Sequence, residues 1–216
     1  MLHTLRGLVA LPLALLIAGC NDTSERESTA SGAAAYSSTG TGDAASETAV
    51  ANAHDAFFAN LAALCGKAFR GEARLTSGDG FEGGLVMHVR KCGEDELQIP
   101  LHVGENRSRT WIVTRTETGL RLKHDHRIED GSDDPVTQYG GDTAAPGTAR
   151  QQSFPADDFT RELLPEAATN VWTMTLENDG RFVYHLTRHG APRATFEFDL
   201  DDEVTPPPAP WGYEDS

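Results

Sequence analysis

The chain has 216 residues, with 33 acidic against 18 basic side chains and a formal charge of −15. That balance excludes a nucleic-acid partner, which needs a basic patch to displace counterions, and it argues against a protein surface lying flat on anionic lipid. Nor do the apolar runs sustain a membrane-spanning helix in the mature chain.

The N-terminus reads MLHTLRGLVALPLALLIAGC. Arg6 provides a basic start, and Gly7 to Ile17 form an apolar run of signal-peptide length. Ile17-Ala18-Gly19-Cys20 resembles a bacterial lipobox. The resemblance implies a signal peptide over residues 1–19, cleavage before Cys20 and lipidation of Cys20. A secretory signal with a chance cysteine is the alternative. Several acyl chains would anchor the protein firmly where one alone is marginal. Asn21 follows the cysteine where an inner-membrane retention signal would have Asp, so the resemblance implies an outer-membrane lipoprotein facing the periplasm. The lipid bilayer is then its first partner, reached through the acyl anchor.

Residues 20–51 are rich in Ser, Thr, Ala and Gly and nearly lack large apolar side chains, the composition of a flexible tether. Export leaves Cys65 and Cys92 as an even pair in an oxidising compartment, which predicts a disulfide; two packed thiols are the alternative.

Residues 52–203 carry the folded domain. Phe57, Phe58, Leu61 and Leu64 recur at helical spacing, and Gly66 supplies a stop. From Phe69 the period becomes two. Strands are predicted over Phe69–Leu75, Gly84–Lys91, Leu97–Val103, Arg109–Thr116, Gly119–Arg127, Thr148–Phe154, Val171–Glu177, Arg181–Arg188 and Arg193–Leu200. Turn residues at 117–119 and 178–180 join neighbours into hairpins. Ile128 to Gly147 is too rich in Asp, Gly and Pro to be expected in the interior. PADDFTRELLPEAATN should hold a helical turn begun near Asp157 and stopped by Pro165. Residues 204–216, TPPPAPWGYEDS after Val204, are expected to form a Pro-rich disordered tail.

One helix followed by many short-linked strands predicts a mainly β fold. The expectation is an antiparallel up-and-down barrel of about 8–10 strands, with the N-terminal helix plugging one end. LCGKAFRGEA, Leu64 to Ala73, resembles the helix-to-strand junction of lipocalin-like and fatty-acid-binding-like barrels, with Phe69 one position later than the aromatic residue of that motif. The chain also resembles a group of bacterial secreted proteins, a likeness that brings no activity with it.

Gly78, Gly80 and Gly83 fit G-x-G-x-x-G, but a strand follows where a phosphate site needs a helix N-terminus. No nucleophile elbow, HExxH or Walker motif is present. The remaining chemistry lies in GLRLKHDHR. Leu120 and Leu122 should face inward, and a period of two places His124 and His126 on the same face at the barrel mouth, with Lys123 and Asp125 pointing away. Zinc ligation there needs a third donor, for which His88 or a carboxylate between Glu129 and Asp134 is the candidate. The opposing expectation is that the pair caps the core and bonds with the acidic loop. Function then divides three ways: a binding or accessory module holding a small apolar ligand, an envelope enzyme centred on His124 and His126, or a structural protein-interaction module. An interior volume of about 300 Å³ or more favours the first, and a barrel filled by its own side chains favours the third.

Overall fold

Apolar side chains on one face of residues 53–62 make that stretch a helix, α1, with Phe57, Phe58 and Leu61 buried beneath it. The computed structural model describes residues 53–78 and 80–214. The expected leader, Cys20 and the tether lie outside the described residues.

Eleven strands follow among the described residues. They are β1 (Ala68–Thr76), β2 (Leu85–His88), β3 (Lys91–Cys92), β4 (Glu96–Val103), β5 (Asn106–Thr116), β6 (Gly119–His126), β7 (Tyr139–Asp142), β8 (Gln151–Pro155), β9 (Asn170–Leu176), β10 (Arg181–Arg188) and β11 (Ala191–Val204). A short helix α2 (Asp158–Leu163) and a 3₁₀ turn (Pro165–Ala167) separate β8 from β9. Asp157 caps α2 by accepting from the Thr160 amide, and Pro165 ends it, as the sequence pattern requires.

The strands form one antiparallel sheet in the order β7-β6-β5-β4-β2-β1-β11-β10-β9-β8, with β3 paired to β4 alone. Sequence neighbours are therefore spatial neighbours, and β11 returns to pair with β1. This is the up-and-down arrangement expected, nearly closed into a barrel. Two expected features differ. The strand expected over Gly84–Lys91 breaks after His88: Val89 turns to exchange backbone bonds with Gly66 and Lys67, and Arg90 donates to the Gln98 carbonyl. The loop expected over Ile128–Gly147 contains β7, which pairs with β6, and Gly140 and Gly141 are buried.

Those two glycines make the seam between β7 and β8. Asp157 donates its amide to the Gly140 carbonyl, and the Thr160 hydroxyl meets both the amide and the carbonyl of Gly140. A Cβ on Gly141 would sit 1.8 Å from the Pro155 carbonyl oxygen, so only glycine permits this approach.

The inward faces merge into one apolar core running from Phe57 and Leu61 on α1 through Leu97, Leu122, Trp172 and Phe182 to Phe196 and Phe198. α1 covers the end where β5 turns into β6: His54 comes close to Gly119, and the Arg115 guanidinium lies over the Phe58 ring. Cys65, just past α1, is bonded to Cys92 on β3, with Cα atoms 6.2 Å apart, so the helix end is tied to the sheet as expected. Closing this loop removes about 3.5 kcal/mol of unfolded-chain entropy on the loop-closure model.

Residues 205–214 differ from the free tail expected of them. Pro210 is buried, the Trp211 amide donates to the Arg107 carbonyl, and Arg107 donates to the Ala209 carbonyl. Arg90 donates to the Tyr213 carbonyl, and the Tyr213 hydroxyl donates to Asp125. The segment is a strap across the outer face of β4, β5 and β6. Proline keeps it out of the sheet ladder, and its carbonyls are satisfied by arginines.

Candidate site at the open mouth of the barrel

The β5–β6 ladder runs without a register shift from Thr116↔Gly119 to Arg109↔His126. An unbroken period of two therefore carries the inward face from Leu120 and Leu122 to His124 and His126 on β6, and from Val113 and Trp111 to Arg109 on β5. His124 and His126 do share one face, at the end of the barrel opposite α1.

His124 is buried and fully bonded. Its Nδ1 donates to the Tyr139 carbonyl at 3.0 Å, which fixes the tautomer and leaves Nε2 to accept from the Tyr184 hydroxyl at 2.8 Å. Its ring stacks on Tyr139 with centroids 4.6 Å apart. Burial pushes the imidazole down to about 3, so it stays neutral under ordinary conditions. His126 Nε2 pairs with the Tyr139 hydroxyl at 3.0 Å, and burial, with Arg109 nearby, holds it down to about 4. Burial also pushes the Tyr139 phenol up to about 12 and the Tyr184 phenol well above its ordinary value.

The histidines thus bond with two tyrosines, and the expected pairing with the acidic loop does not form. Glu129 to Asp134 turn outward instead: Asp130 accepts from the Ser132 amide, Asp133 pairs with Arg127, and Asp134 accepts from the Val136 amide. Lys123 and Asp125 point away from the core as expected, but Asp125 is not solvated. Its carboxylate lies wholly buried beneath the strap, bonded by Arg127, Gln138 and Tyr213.

His88 does not join the pair. Its strand neighbours Leu85 and Met87 are in the core, and the ladder sets Val86 opposite His102, so His88 and His102 are on the outer face of the sheet. Both are buried there, and neither His88 Nδ1 nor His102 Nε2 has a hydrogen-bond partner. Burial, then the His88 charge and Arg107, lower His102 to about 4; burial and Arg90 lower His88. Among the described residues no three of His, Cys, Asp and Glu come together to hold a metal ion.

A half-open cavity of about 160 Å³ lies beside the His124–His126 pair, walled by Trp111, Tyr184, Phe196, Phe81, Tyr139 and Arg109. Trp111 stacks on Tyr184 at 4.5 Å and Tyr184 on Phe196 at 5.5 Å, so one wall is a file of parallel rings. Phe81, in the β1–β2 loop, packs tilted against Phe196 with centroids 4.8 Å apart and carries the Arg109 guanidinium 4.9 Å above its ring.

The sequence pattern singled out the two histidines but not Arg109, Tyr139 or Tyr184 as partners. Arg109 had a signal: it alternates with Trp111 and Val113, so its charge had to point inward. Tyr139 had none, because it sits in a segment with no apolar period. Doubly bonded within the protein, His124 offers no nitrogen to a substrate in this arrangement.

Comparison with protein-family models, with curated proteins and with solved structures returns no match for the chain. The fold and the mouth define a class all the same: a mainly β, nearly closed antiparallel barrel, plugged by a helix at one end and lined with aromatic and polar rings at the other.

Proposed function

We propose that this chain is a lipid-anchored binding module of the bacterial cell envelope, held through Cys20 on a tether of residues 20–51, which takes a compact small molecule at the open mouth of its barrel. The observation that carries this reading is the cavity beside His124 and His126. It is aromatic on one side and polar on the other, the mixture that orients a small ligand. Its 160 Å³ does not reach the roughly 300 Å³ that would favour a ligand-holding interior, so the reading rests on the lining, and a fatty acid or other bulky apolar cargo is too large. A cavity of about 150 Å³ in another protein accepts a single benzene ring, which sets the scale of the ligand.

The enzyme reading draws less support. His124 has both nitrogens committed within the protein, and His88 is on the far side of the sheet from the pair. Native mass spectrometry of the protein purified gently from the envelope tests the proposal. The expected spectrum carries a stoichiometric adduct no heavier than about ten non-hydrogen atoms, the scale set by the cavity. Stoichiometric zinc lost in the H124A/H126A double variant would replace this reading with the metal-dependent one, and a bare chain would remove the ligand altogether.

A further inference from the structure

We infer that the mouth recognises a small carboxylate, a single ring or short branched chain bearing one carboxylate group, with Arg109 as the residue that binds its charge. The inference rests on the ligand-binding reading above and names the class of ligand.

The charge of Arg109, without an ion-pair partner among the described residues, comes first. Arg70, Arg74, Arg115, Arg121, Arg127, Arg161 and Arg181 each pair with a carboxylate. Arg107 and Arg150 donate to backbone carbonyls, and Arg188 donates to Asn170. Among the described residues, no carboxylate stands within ion-pair distance of Arg109. Its polar contact is a long one to the Ser108 hydroxyl at 3.4 Å. Yet the β5 register turns it inward, its exposure is intermediate, and burial holds its guanidinium below its ordinary value. Taking a cation partly out of water costs free energy that an anion would offset. The two acids whose charges reach His126 are engaged elsewhere, Asp125 under the strap and Asp134 in its turn.

Geometry narrows the class. A guanidinium offers two parallel N–H groups that match the two oxygens of a carboxylate, and bonds of that kind are about twice as strong as neutral ones. The Phe81 ring holds the guanidinium plane from below without using its donors. The cavity is also lined by Trp111, Tyr184 and Phe196, whose stacked rings offer apolar edges to a ring or a branched methyl group. Tyr139 and His126, already paired, stand at the polar edge. One guanidinium is too few charges for a phosphate dianion.

The test uses the full chain in a mild non-ionic detergent, with benzoate, isovalerate, benzamide and inorganic phosphate as probes. NMR titration follows the ring resonances of Trp111 and His126. Benzoate or isovalerate should shift both saturably, and benzamide should bind at least about tenfold more weakly, since it lacks the charge. Arg109→Gln should weaken benzoate by at least about tenfold and leave benzamide unchanged, while Arg109→Lys should retain part of the affinity. If Arg109→Gln does not fold, the benzoate–benzamide ratio in the wild type decides alone. Equal binding of benzoate and benzamide overturns the carboxylate class and leaves a compact-ligand site standing. Phosphate binding tighter than either carboxylate also overturns the class. No saturable shift with any of the four overturns this inference together with the ligand-binding reading on which it rests.

Discussion

The Thr160 hydroxyl accepts from the Gly140 amide at 2.7 Å and donates to the Gly140 carbonyl at 2.8 Å, so one side chain satisfies both backbone groups of a strand residue at the seam. A strand edge left bare is a template for pairing with another chain. Here α2, begun by the Asp157 cap, carries Thr160 to that edge and closes most of the gap between β7 and β8.

Thr160→Val keeps the shape and removes both bonds. The Gly140 carbonyl keeps the Asp157 amide as a donor, so the variant strands the buried Gly140 amide and should lose about 1–3 kcal/mol, the cost of one unsatisfied group. Urea denaturation reads this as a lower midpoint with little change in slope. An unchanged midpoint would show that water replaces the hydroxyl and that the seam is open.

The strap covers a buried acid, Asp125. Tyr213→Phe removes one of the three donors to Asp125 and should cost about 1–2 kcal/mol. Ending the chain after Val204 uncovers Asp125 and removes the bonds to Arg90 and Arg107 as well, and should cost more. Amide exchange in β4, β5 and β6 should quicken in the shortened chain. If both forms melt alike, the strap contributes nothing to the barrel.

The legible parts of the fold are those where one residue's neighbours in sequence are its neighbours on a face. The β5–β6 hairpin follows from the alternation of Trp111 with Val113 and of Leu120 with Leu122, and the facing of His124 and His126 comes with it. β7 was not legible. Tyr139-Gly140-Gly141-Asp142 has no alternating apolar pattern, and it is a strand because two glycines let Leu122 and Pro155 come within contact of its backbone. The strap was hidden for a different reason. Its partners Arg90, Arg107 and Asp125 are on three separate segments, and nothing local in TPPPAPWGY points to them. Gln138 shows the same dependence: it holds a left-handed backbone, φ 60°, while its amide donates to the His124 carbonyl and its side chain to Asp125.

Lipid attachment is tested at Cys20. Labelled palmitate should enter the wild-type chain, and Cys20→Ala should lose the label and leave the membrane fraction, because the acidic domain has no affinity of its own for anionic lipid. A Cys20→Ala chain that stays firmly bound would place the attachment elsewhere.

Acid should unfold the barrel through its buried imidazoles. His124 is held down to about 3 and His102 and His126 to about 4, each chiefly by burial, against an unfolded value of about 6.5. Between those limits the unfolded chain binds protons that the folded chain refuses. Stability is therefore fully present above about pH 6.5 and falls as the pH drops toward 4, by about 1.4 kcal/mol per pH unit for each histidine. Carboxylates contribute their own losses, mostly at lower pH, so the histidine part is isolated by comparison. His124→Gln should be less stable than the wild type at pH 7, where the Tyr184 hydroxyl and the Tyr139 carbonyl lose well-placed partners. From pH 6.5 down to 4, however, its stability should decline less steeply, by the share of one proton. Urea midpoints at half-unit steps of pH measure both slopes. Parallel curves would mean that His124 titrates alike in the folded and unfolded chains, and the bonded, neutral imidazole described at the mouth would then be wrong.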